Sequence, residues 1–408
     1  MFKIHCRCIN CITPPHILKK LLDNSDNRIR DAALRTLMTT ARLRGQRSVF
    51  GLVPAAAASA QGRRTIFDCA NSTFLPGASI VRTEDGPAAS DASANRAFDG
   101  LGETRAFYKE IFDRDSLDGR GMRLNAYVHY DNGYNNAFWS GREMVFGDGD
   151  GVLFTDFTKS LDVIGHELTH GVTEFTAALE YHDQSGALNE SMSDVFGSLV
   201  KQWVNKQTAD KADWLIGAEV FTPTIGADAL RSMKAPGTAY NSSVIGRDPQ
   251  PDNMSKYVNL PNTEEGDNGG VHINSGIPNK AFYLTAIGIG GYAWDAPGRI
   301  WYDSLLASSA QTNFQEFADT TYLKAGQHFG QQSTEQQAVL AAWKEVGIRI
   351  SGVRSLAGTS ARMRRQVAAA VNGHDEDDSA AVAKKIEQLT GQLVALQTEV
   401  ASLKHKRH

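Results

Sequence analysis

The stretch "VIGHELTHGVTEFTAALEYHDQSGALNESMSDVFG", residues 163–197, restricts this chain more than any other. In an α-helix, positions i and i+4 lie on one face, so "HELTH" sets the imidazoles of His166 and His170 side by side. Glu167 follows the first of them and lies beside whatever the pair holds without ligating it. Further on, "NESMSD" repeats the spacing with carboxylates, so Glu190 and Asp194 share a face of a second helical stretch. Two neutral nitrogens and the Glu190 carboxylate leave one corner of a tetrahedral zinc ion open to water, the arrangement of reactive rather than structural zinc. Asp194 then accepts the distal N–H of a ligating histidine and fixes its ring. Helix-surface charge alone leaves the matched pairs unexplained.

At 408 residues the chain suits two lobes plus extensions, and 41% hydrophobic with 22% charged residues is an ordinary globular composition. No apolar run is long enough to span a bilayer, and neither a membrane nor a nucleic acid is expected as partner. The net charge of −4 hides an asymmetry, because residues 1–50 carry +7 and leave −11 for the remainder. A basic head docked on an acidic body and a solvated helix face both explain that.

The patterning divides the chain. Residues 14–45 read as two helices. After Pro14-Pro15 comes "HILKKLL", then Ser25 as N-cap of a second helix that presents Ile29, Ala33, Leu34, Leu37, Met38 and Ala41 on one face and stops at Gly45. "PAAAASAQGRR" (54–64) has the composition of a cleavable linker and sets a boundary near residue 60. "LNAYVHY" and "EMVFGDGDG" read as strands with Gly/Asp turns, and helices dominate beyond 160. The expected class is α+β: a segment 1–60, a β-rich lobe 61–160, a helical lobe 161–352, a flexible linker 353–380 and a tail 381–408. A cleft between two such lobes is a usual place for a site. In the tail, Val382, Ile386, Leu389, Leu393, Leu396, Val400 and Leu403 form a heptad seam, to be buried by self-association or by docking on the body.

"MFKIHCRCINCITPPH" lacks the apolar core of a secretory signal, so cytoplasmic residence and an unconventional export route are both open. Cys6, Cys8 and Cys11 crowd beside His5, and Cys69 stands alone; holding a metal, restraining an active-site zinc and incidental reduced thiols are the alternatives, the last favoured.

From about residue 63 to 351 the chain resembles the thermolysin-like zinc metallopeptidases. "RTIFDCANSTFLPG", "GYNNAFWSGREMVFGDGDG", "DVIGHELTHGVTEFTAALEY", "SGALNESMSDVFGSLV", "ALRSM" and "DNGGVHINSGIPNKAFYL" occur in the family's order. "TPPHILKKLL" is similar to the short propeptide of the protealysin branch. The resemblance implies a two-lobed zinc endopeptidase that processes its own precursor and cuts proteins before apolar residues. It implies His166, His170 and Glu190 as zinc ligands and Glu167 as general base to a zinc-activated water. Tyr181 and His272 match the oxyanion donors, and Asp267 the carboxylate behind His272. Asn136 and Ala137 match the edge that holds a peptide backbone, Arg231 the contact to a substrate carbonyl, and Val163 and Leu230 an apolar pocket.

The family's paired calcium site is expected to be absent. Asp162 and Asp213 remain, but Lys201, Leu215 and Ala218 fill the other matching positions, and a lysine ammonium substitutes for a cation's charge. Calcium at "GDGDG" stays open. A catalytically silent scaffold acting through the coiled coil is the competing reading, weakened because no ligand or base position is replaced.

Overall fold

The computed structural model describes residues 10–50 and 64–351. The tail, the whole linker at 353–380, His5, Cys6, Cys8 and the stretch 54–63 lie outside the described residues.

The chain enters as a short strand, β1 (Asn10–Cys11), followed by helices α1 (Pro15–Leu21) and α2 (Asn27–Phe50). The β-rich lobe then supplies β2 (Arg64–Asp68), β3 (Ser79–Thr83), helix α3 (Ala92–Phe112), β4 (Leu124–Val128), β5 (Ala137–Trp139) and β6 (Met144–Phe146). These strands make one mixed sheet in the order β1-β5-β6-β4-β2-β3. Its β2–β4 and β4–β6 pairs are parallel, and β5 pairs antiparallel with both β6 and β1. β5 is therefore the last strand of the lobe, and β1 from the N-terminal segment covers its free edge through Asn10↔Trp139 and Cys11↔Phe138.

The helical lobe begins with α4 (Leu161–Glu174) and α5 (Asp183–Val204). They approach closely because each brings a glycine to the crossing. A β-carbon on Gly165 would lie 3.0 Å from the Gly197 Cα, and one on Gly197 would lie 2.9 Å from the His166 amide nitrogen. Short pairs β7 (Leu215–Ile216) with β8 (Arg231–Ser232) and β9 (Asn241–Ser242) with β10 (Gly246–Arg247) follow. Helices α6 (Asp267–Asn274), α7 (Gly276–Ile289), α8 (Ala296–Ala307), α9 (Phe314–Phe329) and α10 (Thr334–Glu345) complete the lobe. Stacked Trp301 and Trp343 lie in its core. Among the described residues no helix is long and apolar enough to cross a membrane.

Three sequence expectations change. α2 starts after Asp26, whose carboxylate accepts the Arg28 amide at 2.9 Å, so Asp26 rather than Ser25 caps it. The helix also runs through Gly45 to Phe50. Its buried face is rotated: Ala32, Ala33, Thr36, Thr39, Thr40 and Leu43 face inward, while Leu34 and Met38 are 47% and 65% exposed. The threonines are inward because they meet polar groups. Thr39 donates to Asp131 at 2.8 Å, Thr40 and Tyr134 share a hydroxyl contact at 3.0 Å, and the Thr36 hydroxyl accepts the Asn135 amide at 3.0 Å. The segment also reaches the helical lobe through Lys19 to the Glu265 carbonyl, His16 to Tyr240, and Arg44 with Glu264.

Candidate metal centre and substrate cleft

Helix α4 presents His166 and His170 toward α5, and both rings are buried. His166 Nδ1 faces Asp194 Oδ1 at 2.8 Å, and His170 Nδ1 faces Asn189 Oδ1 at 2.8 Å with the Ser193 hydroxyl at 3.0 Å. Carboxylate and amide oxygens are acceptors, so the Nδ1 atoms carry the protons and the Nε2 atoms present lone pairs. Those Nε2 atoms lie 3.0 Å apart. Glu190 closes the triangle, with Oε2 3.6 Å from His166 and Oε1 3.5 Å from His170.

Lone pairs and a carboxylate facing one another in a dry pocket repel unless a cation lies between them. Glu190 Oε2 and Glu167 Oε1 have no hydrogen-bond partner although both are buried. Bonds of ~2.0–2.1 Å to a tetrahedral ion put neighbouring donors about 3.3 Å apart, close to the separations found here. The donor set fits zinc. Among the described residues it is the one His/Cys/Asp/Glu cluster of metal-binding dimensions. Burial also holds the His170 imidazole well below its ordinary pKa, keeping it neutral for a ligand role.

Around the triangle each side chain is held by another. Arg231 donates to both Asp194 oxygens at 2.8 Å, and Asn279 adds a further 2.8 Å bond. Burial pushes the Asp194 carboxyl up, but Arg231 and His166 outweigh it and keep it ionised. Glu167 is raised well above the usual carboxylate range by burial and by Glu190, against the Trp139 amide that donates to it at 3.0 Å. In "DNGG", Asp267 and Asn268 take left-handed backbone, and Gly269 and Gly270 follow at φ +85° and +78°. That reversal returns the Asp267 carboxylate to His272, at 2.9 Å from its amide and 2.6 Å from Nδ1. Burial opposes charge on His272, but Asp267 and Glu190 raise its pKa to about 9. Tyr181 lies 3.3 Å from His272 Nε2 and donates a short hydrogen bond to Glu190.

The chain belongs to the thermolysin family of metallopeptidases. Residues 25–174 match the family model described as "Thermolysin metallopeptidase, catalytic domain", and residues 177–348 match "Thermolysin metallopeptidase, alpha-helical domain". An extracellular metalloprotease of Pectobacterium carotovorum subsp. carotovorum is 46% identical over 84% of this chain and 98% of that protein. A thermolysin of Bacillus sp. (strain EA1) is 41% identical over 69% of this chain but only 50% of its own length. The solved precursor of protealysin, a metalloproteinase from Serratia proteamaculans, superposes with a TM-score of 0.74 at 48% identity, covering 83% of this chain and 99% of that one. This thermolysin-family chain is thus a zinc-dependent endopeptidase of the protealysin-like kind, with the two-lobed α+β fold anticipated from its motifs.

Residues 11–13 of the N-terminal segment lie against Asn136, Ala137, Arg231 and His272. The Ile12 amide donates to the Ala137 carbonyl at 3.3 Å, and the Thr13 amide to Asn136 Oδ1 at 3.0 Å. The Ile12 carbonyl accepts from Arg231 Nη1 at 3.1 Å, and the Cys11 carbonyl lies 2.9 Å from His272 Nε2. The Ile12 side chain is fully buried, as are Val163 and Leu230. Sequence reading missed β1 and the supports Asn189, Ser193 and Asn279. Their only signal is position, either beside Glu190 and Asp194 or after the glycine that ends "HINSG".

Cys11 and Cys69 are free, buried thiols in one apolar cluster with Leu43, Tyr130, Tyr134, Phe138 and Val145. Burial pushes each thiol pKa up to about 12, which favours the reduced, inert alternative for these two. Lys201 Nζ lies 3.1 Å from Asp162, 3.0 Å from Asp213 and 3.5 Å from the Leu215 carbonyl. In "GDGDG", Asp148 accepts from His129 at 2.9 Å, and one Asp150 oxygen accepts the amides of Val152, Leu153 and Phe154.

Proposed function

We propose that His166, His170 and Glu190 ligate the zinc, that Glu167 is the general base, and that residues 1–60 form a propeptide occupying the cleft until it is removed. Zinc, when bound, supplies a Lewis acid that polarises the scissile carbonyl and acidifies a water. Glu167, buried and proton-avid, takes a proton from the attacking water and passes it to the departing amine. His272, held charged by Asp267, donates with Tyr181 to the oxygen that becomes negative. Each such donor generally contributes roughly 3–4 kcal/mol. Asn136, the Ala137 carbonyl and Arg231 hold the extended backbone beyond the cut, and Val163 and Leu230 line an apolar pocket for the residue after it. Asp194, ionised between Arg231 and His166, fixes the ligand ring.

The observation that carries this reading is the triangle of mutually facing donors beside Glu167, with unpartnered buried oxygens on both carboxylates. Lobe boundaries at 61–160 and 161–352, a linker at 353–380 and a self-associating tail at 381–408 complete the proposed organisation. We further infer no paired calcium site, because Lys201 answers Asp162 and Asp213. Its substrates are unfolded or loop segments of proteins, outside the cell as for the Pectobacterium relative. Casein cleavage by the processed chain tests the reading. Turnover that survives both chelation and Glu167→Gln would end it.

A further inference from the structure

We infer that the Cys11–Ile12 peptide bond is itself a processing site, cut by the same chain that holds it and before the linker at 54–64; this rests on the proposed roles of Glu167 and His272. A plug that merely blocks a cleft needs no register. This one has a register, atom by atom, about a single bond.

On one side of that bond, the Cys11 carbonyl oxygen meets His272 Nε2 at 2.9 Å, with the Tyr181 hydroxyl 3.3 Å from that nitrogen. On the other side, the Ile12 amide donates to Ala137 and also faces the Glu167 carboxylate. The bond lies between the donor for a negative oxygen and the carrier of a proton for a departing amine. The next carbonyl is fixed by Arg231 and the next amide by Asn136. Ile12, apolar and fully buried, follows the bond.

In the step, water adds through oxygen to the Cys11 carbonyl carbon, and the bond from that carbon to the Ile12 nitrogen breaks. Glu167 takes one water proton and returns it to that nitrogen, and the second water proton follows to the same nitrogen, leaving a carboxylate on Cys11 and an ammonium on Ile12. No further co-reactant is needed. The cut does not release the segment after Ile12, because α1 and α2 remain bound through His16, Thr36, Thr39 and Thr40. The new amine stays beside the site, so cleavage and resealing compete and inhibition outlasts the first cut.

The test loads the metal-free full chain with zinc, quenches it with acid at intervals, and reads intact masses at two chain concentrations tenfold apart. A species beginning at Ile12 is expected to appear before any beginning at 54–64, with a rate constant unchanged across the tenfold range, and not at all in Glu167→Gln. If casein is cut and the linker is processed while nothing begins at Ile12, the protease reading stands and this inference falls. A rate proportional to concentration also overturns it, since the resident strand is then not what is cut. If neither casein nor the chain is cut, both fall. Hydrogen exchange in the zinc-loaded Glu167→Gln chain reads the register without turnover. The Ile12 and Thr13 amides are expected to exchange at least tenfold more slowly than in Glu167→Gln carrying Ile12→Asp, and equal rates overturn the register.

Discussion

Two acidic clusters flank helix α4, and they handle negative charge in opposite ways. At Asp162 and Asp213 the protein brings its own cation: Lys201 reaches both carboxylates, and Asp162 also accepts from the Ser160 hydroxyl at 2.6 Å and the Gly217 amide at 3.3 Å. At His166, His170 and Glu190 the outward ring nitrogens are hydrogen-bonded, whereas the two inward Nε2 atoms and the buried, unpartnered Glu190 Oε2 face one another. The first cluster is complete as folded; the second becomes favourable only with an ion. Buried polar groups left unpaired beside well-supported neighbours therefore mark a binding site better than charge density does.

Removing a donor from the second cluster breaks the contrast most severely. Glu190→Ala is expected to take zinc from one per chain to nearly none and to lower casein turnover by at least ~10³-fold, read by metal analysis and initial rates. Lys201→Met attacks the first cluster. It strands the buried Asp162 and is expected to cost roughly 3–5 kcal/mol, seen as a lowered thermal midpoint. Millimolar calcium should then restore part of that midpoint in the variant and leave the parent unchanged; an identical calcium response in both would erase the distinction.

Asp194→Asn weakens the support behind His166 and the pairing with Arg231, with an expected loss of about 10–100-fold in zinc affinity by competition with a chelator. The smallest effect concerns the N-terminal segment. Burial lowers the His16 pKa to about 4, against Asp267 and together with His272, Arg231 and Lys19, while its Nδ1 has no partner. The unfolded or released segment then binds more protons than the docked one between pH 6.5 and 4. Docking is complete above that window and weakens as pH falls through it, by at most ~2 kcal/mol at pH 5. Exchange of α1 amides at pH 7 and pH 5 measures this, and His16→Gln should flatten the difference.

What the sequence disclosed follows from the range of the interactions involved. The His166/His170 and Glu190/Asp194 pairs lie four residues apart, so helical geometry alone makes them neighbours. Asp267 and His272 were read only through family likeness, because a left-handed run at Asp267–Gly270 closes the gap between them. The face of α2 was misjudged because apolar periodicity pointed to Leu34 and Met38, whereas Thr36, Thr39 and Thr40 are fixed by the distant loop at 131–135. β1 was invisible for a related reason: two residues become a strand only because β5 offers an uncovered edge.

That edge carries a consequence for targets. On the proposed function, a substrate takes the place of β1 on that edge. Recognition by strand pairing reads main chain first, so whatever enters must surrender its own hydrogen bonds over several consecutive residues before it can be held. Compact proteins would escape until heat, damage or incomplete synthesis unravels a stretch of them, which makes victim stability, as much as sequence, the selector.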